Sequence, residues 1–427
     1  MTLDVVVLFA ILFISITLTV PVGFALGLAS MVTFAIFSDV SMIIVPQSSV
    51  TGLDSFPMMA IPFFIMAGIV MSKGGVAKRL VNVADALVGH ITGGLAIVTT
   101  MACMFFGSIS GSAAATCSAI GGFMIPEMKA KGYDAPFAAS ITACAGTIGL
   151  LIPPSLSLVI YGVVTNTSIG DLFIAAIIPG ILMTIALSVA CYLYAKKHGY
   201  VGGKRIGLKA TLKIVWDAKW SLGAPVIILG GIYSGFFTPT EAAVVSIVYA
   251  IIVGMFIYRE LDLKNLYGAA VEAMAINGMI MFMLGLATVF AKYVTLAQVP
   301  YKIVAFISSF TDSAIVILLL MNAFLLLVGC IMDNIPALIV LSPIMLPLAL
   351  QAGLNHVQFG VMIVLNTTIG IVTPPYGPNL FIGATLAGTK MERMMKPLLP
   401  LLLALLIVLA IVTYIPQVST VFLEKWQ

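Results

Sequence analysis

Apolar runs of membrane-crossing length follow one another along almost the whole chain, separated by short polar breaks. They fall at roughly 4–20, 22–38, 57–72, 91–107, 112–128, 135–165, 171–195, 219–236, 240–258, 268–290, 315–331, 335–351, 357–387 and 394–416. A helix needs about 20 mostly apolar residues to cross a bilayer. These runs are continuous, unlike the alternating ten-residue strands of a membrane barrel, so the pattern predicts an all-α polytopic membrane protein. Two adjacent pairs are unusual, each flanking a small-residue or polar break: Gly107–Ser112 and Gly329–Pro336. Each pair could be two full spans or a re-entrant hairpin, and the break in mid-pair favours the hairpin. The expected fold is about ten full spans plus two hairpins.

Composition agrees with this reading. Hydrophobic residues make up 61% of 427 positions and charged residues 8%, far below the quarter charged that a soluble surface needs. The net charge of +4 says little about partners, because membrane proteins carry excess Lys and Arg on cytoplasmic loops; nothing calls for nucleic acid. The basic loops do orient the chain. Lys73, Lys78 and Arg79 precede the first pair and Lys129 and Lys131 follow it. Further clusters are Lys196, Lys197, Lys204, Arg205, Lys209 and Lys213, then Arg259 and Lys264, then Lys390, Arg393 and Lys396, while residues 351–358 hold no Lys or Arg. With positive charge inside, the first hairpin opens from the cytoplasm and the second from the opposite side, with both termini outside. The opening Met1-Thr2-Leu3-Asp4 has no basic region or small-residue cleavage site, and reads as the start of an uncleaved span. Cys103, Cys117, Cys144, Cys191 and Cys330 lie in apolar segments without a CxxC pair, as buried small hydrophobes do.

The two halves repeat. Pro126 and Pro347, Gly132 and Gly353, Thr147 and Thr368, Gly149 and Gly370, Pro153 and Pro374, and Pro154 and Pro375 all differ by 221 (374 − 153 = 221). Because the hairpins open from opposite sides, the repeat is inverted, and inverted repeats with broken helices mark transporters. Each Pro-Pro pair removes two backbone donors in mid-segment, and the freed carbonyls suit a cavity or a bound cation. The hairpin tips add oxygens from Ser108, Ser110, Ser112, Asp333 and Asn334, a neutral-rich set suited to a hard monovalent cation. Helices starting after each tip point partial positive charge at an anion. Asp333 is the acid placed near mid-membrane, a functional candidate by default; Asp85, Glu127, Asp171, Glu241 and Glu272 fall at segment ends. Gly107 and Gly111 also fit a close-packing GxxxG. An intramembrane protease is disfavoured: His90, His198 and His356 lie in loops, HExxH is absent, and the serines of Gly107–Gly111 occupy the second and fourth places of that stretch rather than the third.

Leu53–Phe64, Phe106–Ala114, Gly149–Ser155, Phe237–Ala243, Met332–Ala337 and Thr373–Pro375 together resemble the large membrane subunit of tripartite ATP-independent periplasmic (TRAP) transporters, over nearly the whole chain. Two departures are Ala115-Thr116-Cys117, where many relatives carry an acid, and Asn334-Ile335, where a hydroxyl residue is expected. The resemblance implies an elevator-type transporter of the inner membrane, taking up an organic acid carboxylate with two or more sodium ions. It further implies a small four-helix membrane subunit and a periplasmic substrate-binding protein as partners. Residues 1–90 and 171–310 would be scaffold, 91–170 and 311–390 the transport domain, and 391–427 a C-terminal scaffold helix. Carried over residue by residue, one sodium site would use Ser108, Ser110, Gly111, Gly146, Thr147 and Gly149, and the other Asp333, Asn334, Asn366, Thr368, Gly370 and Thr373. The carboxylate would lie near Ser112, Asn334, Pro154 and Pro375. Sialic acid leads the substrate expectation over dicarboxylates, and a stand-alone sodium–dicarboxylate symporter is the alternative.

Overall fold

The computed structural model describes residues 3–203, 205–375 and 377–423; Lys204 of the basic loop lies outside them. Among the described residues every regular element is helical. The first half runs α1 (Leu3–Thr17), α2 (Val22–Phe37), α3 (Ile44–Thr51), α4 (Ala60–Lys73, entered through a 3-10 turn), α5 (Val76–Val88), α6 (Gly94–Ser110), α7 (Ala113–Ala130), α8 (Ala135–Gly146, ending in the 3-10 turn Thr147–Leu150), α9 (Leu156–Thr165) and α10 (Ile169–His198). After the linking α11 (Leu208–Asp217), the second half runs α12 (Lys219–Tyr233), α13 (Pro239–Ile251, continued by the π-helical Ile252–Ile257), α14 (Leu263–Leu296), α15 (Val299–Ser308), α16 (Ala314–Gly329), α17 (Asn334–Gln351), α18 (His356–Gly370), α19 (Pro378–Ala387) and α20 (Met391–Tyr414).

A shift of 221 residues lays α1 on α12, α2 on α13, α3 and α4 together on the long α14 (44 + 221 = 265), and so on through α10 on α20 (169 + 221 = 390); α11 has no counterpart. The packing is reciprocal as well. α2 lies against α14 while α13 lies against α4, and α9 meets α17 while α19 meets α7. Each half thus completes the other, as a pseudo-two-fold axis requires. Among the described residues six helices, α10, α14 and α20 included, are long and apolar enough to cross a membrane by themselves. Phe24, Met274, Leu399 and Leu403 lie exposed on the outside, where acyl chains rather than water would cover them.

The ten expected spans correspond to α1, α2, α4, α8–α9, α10, α12, α13, α14, α18–α19 and α20, with α6–α7 and α16–α17 as the hairpins. Two further helices, α5 and α15, occupy matching places just before each hairpin in stretches that lie between apolar runs. In α5 the buried face is Val76, Ala77, Leu80, Val83 and Ala84, while Lys78 and Asn82 face outward. That 3.6-residue period with a polar face describes a helix lying on the bundle, not crossing with it. Arg79 fixes its position, ion-pairing with Glu260 at 2.7 Å and lying 3.6 Å over the Tyr258 ring.

Candidate functional site

The site begins where each hairpin meets the broken helix of its own half. In the first half, α6 approaches the end of α8 backbone to backbone. A Cβ added to Gly107 would lie 2.5 Å from the Gly149 Cα, and one added to Gly149 would lie 2.7 Å from the Thr116 hydroxyl. In the second half, a Cβ on Gly370 would lie 2.5 Å from the Gly329 Cα. Only glycine permits such an approach. Gly107 therefore pairs with Gly149 across helices, rather than forming with Gly111 the GxxxG face that its spacing also fits. Gly111 instead turns the first tip with φ +60°, and its carbonyl accepts from the Leu156 N–H at 3.4 Å. The tip thus sits on the first Pro-Pro break, beside buried Pro154. Both Pro-Pro peptide bonds are cis.

Around the first tip two hydroxyls meet and the others turn to backbone carbonyls. The Ser110 and Thr116 hydroxyls are 2.8 Å apart, and Ser110 Oγ accepts from the Ser112 N–H at 3.4 Å. Ser112 caps α7, accepting from the Ala115 N–H. Ser108 donates to the Phe105 carbonyl at 2.7 Å and Thr147 to the Cys144 carbonyl at 2.6 Å. Gly146 packs on Cys117 and the Ala113 carbonyl. Ser108, Ser110, Gly111, Gly146, Thr147 and Gly149 are all buried about the α6–α8 junction, but Ser108 and Ser110, two residues apart on α6, face different sides of that helix. Each of these hydroxyls spends one proton on a neighbour and keeps lone pairs for another donor or a cation.

The second half is arranged differently. Asn366, fully buried, donates through Nδ2 to the Asn322 side-chain oxygen at 2.8 Å and to the Asn322 carbonyl at 3.1 Å. Asn322 in turn donates to Thr413, at 3.1 Å, and Thr413 donates to the Leu409 carbonyl. This one-way chain fixes the amide: reversed, Asn366 would set its oxygen against two acceptors. Its Oδ1 is consequently left buried without a partner, as is the Thr368 hydroxyl. A buried polar atom left unpaired costs about 1–3 kcal/mol, so both oxygens ask for a ligand. Two residues apart on a helix, however, they point about 200° away from each other. Asn366 shares the α16-facing side with Gly370, four residues on, whereas Thr368 faces elsewhere.

Asn334 joins neither group. Its Oδ1 accepts from Ser157 of the first half at 2.7 Å and its Nδ2 donates to Thr367 at 2.7 Å, so it bridges α9, α17 and α18. Thr373 donates to the Ile369 carbonyl at 2.7 Å. Asp333 is exposed, its carboxylate accepting from the Asn334 N–H at 2.8 Å at the start of α17, a favourable place for an anion. Pro375 is exposed, in contrast to its counterpart Pro154. Of these partners, Ser157, Asn322, Thr367 and Thr413 were not among the residues singled out from the sequence, and Thr116 was named only within the Ala115–Cys117 departure. Asn322 alone carried a signal, as an amide inside the apolar run of α16. Among the described residues no three His, Cys, Asp or Glu side chains gather as a metal centre would require, so the available donors are hydroxyl, amide and carbonyl oxygens.

Residues 9–418 match the profile of a family described as tripartite ATP-independent periplasmic transporter, DctM component. The isethionate TRAP transporter permease protein DctMQ of Oleidesulfovibrio alaskensis is 43% identical over 97% of this chain, which spans 66% of that protein. The C4-dicarboxylate TRAP transporter large permease protein DctM of Pseudomonas aeruginosa is 39% identical over 94% of each chain. The sialic acid TRAP transporter large permease protein SiaM of Vibrio cholerae is 39% identical over 95% of each. In three dimensions the chain is similar to the YdaH transporter of Alcanivorax borkumensis, with a TM-score of 0.68 at 12% identity, covering 94% of this chain and 98% of that one; this likeness concerns the fold.

Proposed function

The chain belongs to the tripartite ATP-independent periplasmic transporter family as a DctM component, a multi-pass membrane permease and not an enzyme, and from that premise we propose that it drives uptake of a small organic anion with a sodium gradient. The observation that carries the sodium reading is the buried Asn366 oxygen, held without a partner beside the Gly329–Gly370 contact. The buried hydroxyls of Ser108, Ser110 and Thr147, on the two helices that meet at the Gly107–Gly149 contact, are the candidate donors of the other half. Thr368 would serve only a ligand on the opposite side of α18 from Asn366.

The anion belongs at the first tip. The start of α17 already holds the Asp333 carboxylate, which repels a second negative charge. The start of α7 holds only the neutral Ser112 hydroxyl, with Pro154 beside the tip, and its dipole is free to attract an acid group. The named relatives handle a sulfonate, a dicarboxylate and a sugar acid at 43%, 39% and 39% identity, so similarity gives sialic acid no precedence. The class that fits is a small acid whose charged end meets α7.

In this reading the hairpins and broken helices move as one body against α1–α4 and α12–α14, and a separate small subunit widens the wall; α10 and α20, expected from the sequence to be scaffold, pack on α6, α8 and α18 and are reassigned to the moving body. A periplasmic binding protein delivers the acid. The basic loops stay in the cytoplasm and both termini face the periplasm. Uptake by proteoliposomes, with and without each partner and with sodium replaced by choline, tests the whole proposal. Sodium-independent uptake would remove the coupling, and full activity of the isolated chain would favour the stand-alone symporter.

A further inference from the structure

On the outer side of the bundle, α10 and α20 leave a groove of about 680 Å³ between them. Its walls are apolar, with Val189, Leu193, Leu403 and Ile407 exposed along it. Lys197, His198 and Lys396 stand at one end. We infer that this groove is a seat for one anionic phospholipid of the cytoplasmic leaflet, its acyl chain along the apolar walls and its phosphate between Lys197 and Lys396.

Length, charge and rigidity support that occupant. From Ala186 to His198 is twelve residues, roughly 18 Å at 1.5 Å per residue. That matches one leaflet, about half of a 30 Å hydrocarbon core, whereas a docked transmembrane helix needs a complementary face across the whole core. Neither lysine forms an ion pair with a carboxylate among the described residues, so both ammonium groups are available to an external phosphate. The wall behind them is braced. His198 Nδ1 donates to the Tyr194 carbonyl at 2.9 Å, its ring stacks on Tyr194 at 4.0 Å, and Tyr194 stacks on Phe137 of α8 at 4.1 Å. Basic residues between helices at the cytoplasmic surface recognise acidic headgroups. The leaflet assignment rests on the cytoplasmic placement of the basic loops; the choice of lipid does not.

Native mass spectrometry of the purified permease, alone and with its small subunit, offered phosphatidylglycerol or phosphatidylcholine, tests the inference. Wild type should retain phosphatidylglycerol with a preference of roughly thirtyfold, equivalent to about 2 kcal/mol for two basic side chains. The double variant Lys197→Gln/Lys396→Gln should fall to within about threefold, with an unchanged lipid-free melting point. Lys209→Gln/Lys213→Gln, on α11, should keep the preference. Leu403→Trp, at an exposed wall position, should lose both lipids from this site. Three results would overturn the inference: an undiminished preference in the first double variant, an equal loss in the α11 variant, or displacement of the lipid when the small subunit binds, which would make the groove a protein seat.

Discussion

Replacing Asn322 by leucine should weaken sodium affinity without touching any proposed ligand. Asn322 holds the Asn366 amide by two acceptors, its side-chain oxygen at 2.8 Å and its own carbonyl at 3.1 Å. Asn322→Leu is close in volume and removes the shorter contact, leaving the backbone one. A hydrogen bond of this kind contributes about 1 kcal/mol. That energy now keeps the Asn366 NH2 on Asn322 and its oxygen turned away from it. Losing it should raise the sodium concentration for half-maximal uptake about fivefold, at 1.4 kcal/mol per tenfold. The assay is sodium titration of uptake in proteoliposomes holding both partners, with choline keeping ionic strength constant and the melting point confirming the fold. The maximal rate at saturating sodium should stay close to wild type. Thr413→Val, which deprives Asn322 of its own acceptor, should shift the same parameter by less. An unchanged sodium requirement in well-folded Asn322→Leu, or a fall in maximal rate alone, would refute the reasoning.

Three further outcomes are expected. Gly329→Ala, whose Cβ would lie 3.0 Å from the Gly370 Cα, should lower the melting point by the equivalent of about 1–3 kcal/mol and reduce uptake, whereas Gly122→Ala on α7, with nothing within 4 Å, should be neutral or slightly stabilising; equal effects would argue against the glycine contact. Burial, and secondarily the charge of Glu127, raises the carboxyl of Asp85 above its ordinary range. An acid raised in this way favours the fold below its unfolded value and loses that contribution as pH climbs, so Asp85→Asn should raise the melting point more at pH 8 than at pH 5, and a gain confined to acid would contradict this. On a cysteine-free background, cysteine at Asn355 should react with an impermeant reagent added to intact cells while cysteine at Lys209 should not; the reverse labelling would invert the proposed topology.

Much of this fold was legible because a 221-residue repeat ties the halves together and apolar runs mark ten crossings. The helices α5 and α15 were not: α5 has a polar face, with Lys78 and Asn82, that keeps it below the apolarity of a span, and α15 has 10 residues, too few to cross. The site was legible in part for the same reason. Gly149 and Gly370 stand in register, but their contacts Gly107 and Gly329 differ by 222 (329 − 107 = 222), one residue off, and the repeat passes over the pair. Asn322 falls opposite Met101, so symmetry gives no hint of its link to Asn366. Helical period separates Asn366 from Thr368, which the family resemblance had placed in one site. Asp333 was placed near mid-membrane because its flanks are apolar; the structure adds that it is the exposed cap of α17.

The most direct test of sodium-driven, partner-dependent uptake is accumulation of labelled isethionate, succinate and sialic acid in proteoliposomes under an inward sodium gradient. With the small subunit and the loaded binding protein present, at least one of these acids should accumulate above its external concentration, and accumulation should vanish when choline replaces sodium or when either partner is omitted. Accumulation that persists without sodium, or that the isolated chain achieves by itself, would contradict the proposal.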